Sequence, residues 1–227
     1  MDNLHEKFSV IGLSYIEPIT ELHKNLRSAI YSGGSKTQSS SMENGYAVST
    51  SILTILFVES MLNRILHFER EKGRYQLQSK ARINILKFFE KKFNNKELLE
   101  KLKELYVFRD LIVHNHILCI RNKWDKDFQE IDINKILTEG YGDSKYNNYV
   151  DKSTFKTKNL SLNANPIQIC TEDVVKVFAV VKELLEFLEK NCDYPVNFSI
   201  INSKFNGTIS EYIDQEFLSW KGNTKIR

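Results

Sequence analysis

The sequence predicts a mostly α-helical fold with a small β and loop insertion before the last core helix. Only three prolines, Pro18, Pro166 and Pro195, interrupt 227 residues, so long stretches are free of the ring that removes a helix hydrogen bond. Within those stretches apolar residues recur at the three-and-four spacing of a helix with one buried face. One segment breaks the pattern: over residues 122–170 polar residues, Gly140, Gly142 and several tyrosines leave no helical period, which marks the insertion. With 41% hydrophobic residues the chain can bury a normal core, and a disordered protein is excluded.

The first helix is predicted over residues 13–31, closed by Gly33-Gly34 and followed by a serine-rich polar stretch, 35–44, read as a mobile loop. That loop has no phosphate-loop pattern. A second helix, 46–71, carries Val48, Ile52, Ile55, Leu62 and Leu66 as one seam and is expected to be central. A third, 80–93, leads through Asn94-Asn95 into a long fourth helix whose seam is Leu98, Leu102, Leu105, Ile112 and Cys119. Alternation at 159–162 and 167–169 predicts a two-stranded element within the insertion. The last core helix, 171–190, starts at Thr171, Glu172 and Asp173, a cap and first-turn acids. A strand over 196–201 and a helix over 210–220 follow. The expected layout is one structural domain: an N-terminal helix and loop (1–45) packing on a core (46–192, with the insertion at 122–170), then a C-terminal extension (193–227).

Three cysteines, Cys119, Cys170 and Cys192, are an odd number without a CxxC pair, which argues against a disulfide framework and a structural zinc site. A reducing cytoplasm is the expected compartment. No export signal is read in the acidic, polar N-terminus, and the most apolar run, 51–66, is interrupted by Glu59, Asn63 and Arg64, so no membrane span is expected. A net charge of +3 permits a nucleic-acid partner without specifying one. No metal-ligand pattern is present, and neither metal nor cofactor is expected.

Two charges sit where the seams call for apolar side chains. Positions 48, 52, 55, 59, 62 and 66 form one line, which places Glu59 on it, and 98, 102, 105, 109, 112, 116 and 119 place Arg109 and His116 on the other. Burying either charge alone costs several kcal/mol (roughly), so each needs a partner or a solvated cleft, and the simplest inference pairs Glu59 with Arg109. Asn63, one turn beyond Glu59, is placed to complete that pair. Asp110 and His114 stand four apart, so the carboxylate can orient the imidazole. Arg109 and His114 lie roughly 140° apart on an ideal helix, which calls either for a distorted helix or for a second copy of the motif across a symmetric dimer.

The segment Arg109-Asp110-Leu111-Ile112-Val113-His114 resembles the signature of the HEPN superfamily: an arginine, a polar residue, a few further residues and a histidine. Its setting is similar too, within a long amphipathic helix, after an apolar helix carrying Phe57-Val58-Glu59-Ser60 and Asn63, and before a strand-like segment and a capped last helix. The resemblance covers about residues 46–190. It implies a HEPN-like antiparallel helical bundle that dimerises so that two motifs face one cleft and act as a metal-independent endoribonuclease, commonly a toxin or effector of toxin–antitoxin or antiviral defence systems. His114 would move protons at the ribose 2′-hydroxyl or leaving 5′-oxygen, since an imidazole ordinarily titrates near working pH. Arg109 would hold the scissile phosphate, with Asp110 orienting His114, and Glu59 and Asn63 orienting Arg109. Family toxins paired with small nucleotidyltransferases carry a tyrosine two residues after the histidine, where this chain has His116, either a second acid or base or a packed histidine.

A basic and aromatic stretch, including Lys145, Tyr146, Lys152 and Lys156, is a candidate contact for single-stranded RNA, against an ordinary solvated loop. The expected partners are therefore RNA, such as tRNA or mRNA, a second copy of the chain, and an antitoxin or defence-system protein. The competing reading is a non-catalytic HEPN-fold interaction or nucleotide-sensing subunit in which Arg109 and Glu59 are structural.

Overall fold

A computed structural model describes residues 14–29, 40–74, 84–114, 118–124, 130–137, 144–194, 199–201 and 206–219. They are mostly helical, in the order α1 (Ile16–Ala29), α2 (Ser41–Glu71), α3 (Ile85–Phe93), α4 (Lys96–Val113), a hairpin of β1 (Leu118–Trp124) and β2 (Glu130–Leu137), a short α5 (Ser144–Tyr149), and α6 (Thr171–Asn191).

Helix α2 is the centre of the fold, packed by α1, α3, α4 and α6. It begins inside the stretch expected to be loop, because Ser40 caps it: the hydroxyl accepts the Glu43 N–H at 3.2 Å. The rest of that expected loop, 35–39, lies outside the described residues. Its most deeply buried line runs through Ala47, Ser51, Thr54, Val58, Met61 and Ile65, one residue ahead of the predicted seam. Thr54 on this line and Thr50 beside it return their hydroxyls to the carbonyls of Thr50 and Tyr46, each at 2.7 Å, so both are buried with the hydroxyl satisfied. By length and composition α2 is apolar enough to cross a membrane, but half of that window is buried inside the bundle.

Asn94 and Asn95 alone join α3 to α4. Asn94 adopts the left-handed conformation at φ 49°, and Asn95 caps α4 by accepting the Leu98 N–H at 3.1 Å. Helix α4 buries Leu98, Leu102, Leu105 and Phe108, then stops at Val113 instead of running on to Cys119. His114 is its terminal cap, at φ −107° and ψ 68°, with its N–H donated to the Asp110 carbonyl at 2.8 Å. Cys119 belongs to β1, whose antiparallel partner alternates Ile131 and Ile133 with Asp132 and Asn134, a period-two pattern that favours strand. The strand portion thus starts ahead of the predicted insertion.

Within the insertion, β3 (Val150–Asp151) pairs with β4 (Lys156–Thr157), but the strands expected at 159–162 and 167–169 do not form. Residues 158–160 make a turn, Ser161 has φ 53°, and Pro166–Gln168 form a 3-10 turn. Buried carboxylates take the backbone N–H groups that a ladder would need. Glu104 accepts those of Asn159 and Leu160 at 2.8 and 2.9 Å, and Asp173 those of Asn163 and Cys170 at 2.9 and 3.0 Å.

Cys170, not Thr171, is the cap residue of α6; Thr171 is its first residue and donates both N–H and hydroxyl to Glu43 at 3.2 and 3.0 Å. At the far end Tyr194 donates its hydroxyl to Glu69 at 2.9 Å, so α2 and α6 run the same way. Helix α4 runs against both, from the Lys92–Glu69 contact beside α3 back to Glu59. The C-terminal segment forms a hairpin of β5 (Ser199–Ile201) and β6 (Asn206–Thr208), then α7 (Ile209–Ile213), which widens into a π-type turn, Asp214–Leu218. Trp220 lies outside the described residues. Phe217 of that turn stacks on Phe178 of α6 at 4.1 Å, and His23 of α1 meets both rings edge-on.

Candidate functional site

The last two turns of α4 present an arginine towards α2 and a histidine towards solvent. Arg109 donates from Nη1 to Glu59 at 2.9 Å, from Nε to Asp110 at 3.0 Å and from Nη2 to the same Asp110 oxygen at 2.8 Å. The pairing of Glu59 with Arg109 inferred from the two seams is therefore present. Its setting differs from a core pair: the side chains keep 34% and 24% of their exposure, so the ions lie at the rim of the bundle. Asn63 is exposed and makes no hydrogen bond to Arg109. Tyr106, one turn before Arg109, has its ring 4.8 Å from the guanidinium carbon. Burial opposes the charge on Arg109, but the hydrogen bonds it donates to Asp110 and the charges of Asp110 and Glu59 outweigh it and raise its pKa. Burial and the Glu59 charge push the Tyr106 phenol up as well.

Asp110 changes the geometry of the motif. At about 100° per residue, Asp110 lies between Arg109 and His114 around α4, only about 40° from the histidine. By accepting from Nε and Nη2, Asp110 fixes the guanidinium towards its own side of the helix, the side nearer His114 in helical order. His114 itself is exposed, and Val113 beside it is 56% exposed. One oxygen of the carboxylate expected to orient His114 takes both of these Arg109 bonds. His116 lies outside the described residues.

The basic and aromatic stretch divides. Tyr146 is 5% exposed and packs with Val107, Leu111, Val150 and Ala164, so it cannot stack on a base and its assignment as an RNA contact is corrected to a core role. Packing against the amphipathic α4 claims the aromatic face that sequence alone leaves open. Lys152 is exposed and Lys156 half-buried. Lys145 lies at the start of α5, where only the backbone is described. Among the described residues no group of three or more histidine, cysteine, aspartate or glutamate side chains is placed to hold a metal ion.

Sequence reading passes over Tyr106. The signal was available in its position three residues before Arg109, which puts the two side chains on neighbouring turns of one helix. Comparison with family models, curated proteins and solved structures finds no match.

Proposed function

We propose that the protein is a metal-independent endoribonuclease of HEPN type, with a composite site formed by two copies of the Arg109–His114 segment. The observation that carries this reading is the pinned guanidinium. Glu59, Asp110 and the Tyr106 ring hold Arg109 in one orientation while His114 stays exposed at the end of the same helix. A fixed fork of donors beside an imidazole is what phosphodiester cleavage through the ribose 2′-oxygen needs. One His114 takes the proton of the 2′-hydroxyl as its oxygen attacks phosphorus. The second copy's imidazole gives a proton to the departing 5′-oxygen, and Arg109 balances charge on the phosphoryl oxygens. The products are a 2′,3′-cyclic phosphate and a 5′-hydroxyl.

The competing reading, a HEPN-fold interaction or nucleotide-sensing subunit, draws on the same cluster: two carboxylates on one arginine make a closed ionic group that also fixes helix packing. Incubation of wild type and an Arg109→Ala/His114→Ala variant with tRNA and mRNA in EDTA separates the two. Cleavage lost only in the variant is expected. A folded wild-type dimer that leaves both RNAs intact removes the enzyme reading and leaves the binding module.

A further inference from the structure

Arg109 has five N–H groups, and Glu59 and Asp110 take three of them. An anion that reaches the guanidinium therefore meets two carboxylates already seated on it, and a firm grip requires one of them to let go. Asp110 holds one edge through two bonds, whereas Glu59 holds the other through one and is the more exposed carboxylate. Glu59 is the partner that can leave.

Tyr106 supplies the second observation. Its hydroxyl is buried and makes no hydrogen bond among the described residues. A phenylalanine there would offer Arg109 the same aromatic face without burying an unused hydroxyl, which costs stability. The hydroxyl is thus the part of the side chain that the resting structure does not use. Burial and the nearby Glu59 charge keep it protonated, hence a donor.

Building on the reading of Arg109 as the phosphate-holding group, we propose that Arg109 and Tyr106 exchange partners when a phosphodiester binds. Arg109 Nη1 leaves Glu59 for a phosphoryl oxygen, and the Tyr106 hydroxyl donates to the Glu59 carboxylate in its place. Asp110 keeps its two bonds throughout, so the guanidinium pivots about a fixed edge. Glu59 is then a resting-state occupant of the anion site and Tyr106 a positioning residue that accepts Glu59 when the site is used.

A double-variant cycle on binding tests this. Affinity for a 2′-O-methyl RNA decamer, which lacks the attacking hydroxyl, is measured by fluorescence anisotropy for wild type, Tyr106→Phe, Glu59→Gln and the double variant, together with thermal unfolding. Tyr106→Phe is expected to weaken binding about fivefold or more without lowering the unfolding temperature. Glu59→Gln is expected to bind more tightly than wild type. In the Glu59→Gln background, Tyr106→Phe should change affinity by less than about twofold, because no charge is left to receive the hydroxyl. Equal losses in both backgrounds, no loss in either, weaker binding by Glu59→Gln, or no binding by wild type would each overturn the exchange. An unmodified decamer separates it from the activity. Binding without cleavage ends the ribonuclease reading and leaves the exchange standing, while cleavage with a silent Tyr106→Phe does the reverse.

Discussion

Glu104 stands five residues before Arg109 on α4 and takes no part in the proposed chemistry, yet it is fully buried and accepts three N–H groups from the turn at Asn159 and Leu160. Replacing it with alanine leaves three donors without an acceptor inside the protein, a loss of about 3 kcal/mol. Urea unfolding of Glu104→Ala should show that loss, with the amides of Asn159 and Leu160 exchanging first; wild-type stability would mean that water replaces the carboxylate. At this scale the sequence discloses conflicts better than satisfactions. Glu59 and Arg109 are visible because each interrupts an apolar seam, and the structure pairs them. Glu104 interrupts no seam, so nothing in the pattern distinguishes it from an exposed glutamate. Tyr146 shows the opposite failure: lysines around an aromatic look like a nucleic-acid contact until the ring is found packed on Val107 and Leu111.

The helices themselves are legible, because amphipathic periodicity extends over many residues, whereas their ends depend on a few backbone hydrogen bonds. Asn94 and Asn95 mark a helix junction in the sequence and make one in the structure. The end of α4 is concealed, since the helical spacing runs on to Cys119 although α4 ends at Val113 and Cys119 belongs to β1. The docking of α1 is equally hidden, because an isolated histidine carries no pattern. His23 is 1% exposed between Phe178 and Phe217, and burial, with the Arg27 charge adding to it, lowers its pKa from 6.5 to about 4. Between these values the unfolded chain binds the proton more readily, so the stability from this contact is complete above 6.5 and is lost as pH falls towards 4. The loss amounts to about 3 kcal/mol. Unfolding of wild type and His23→Leu at a series of pH values should show the slope below pH 6.5 reduced in the variant, and an unchanged slope would assign it to other groups.

For the whole molecule, a mostly helical bundle follows from proline scarcity and periodicity, while the arrangement about α2 rests on contacts between residues far apart in sequence that no local pattern encodes. The shared cleft of the proposed enzyme can be tested at this scale by mixing. Arg109→Ala and His114→Ala chains, each inactive alone, should regain a fraction of cleavage when unfolded and refolded together, because a mixed dimer carries one intact arginine and one intact histidine at the same cleft. No recovery, with mixed dimers demonstrated by mass, would show either that each site lies within one chain or that cleavage needs both imidazoles of the pair, one as base and one as acid. The Glu43–Thr171 contact bears on how such refolding proceeds. A carboxylate from the first turn of α2 meets the first turn of α6, at a separation of 128 positions in sequence. The contact forms only when both helix starts have been brought together, so closing this long loop is a late and entropically costly event in folding. Chains cut anywhere between the two helices would have to find that contact as separate fragments, with a rate set by concentration.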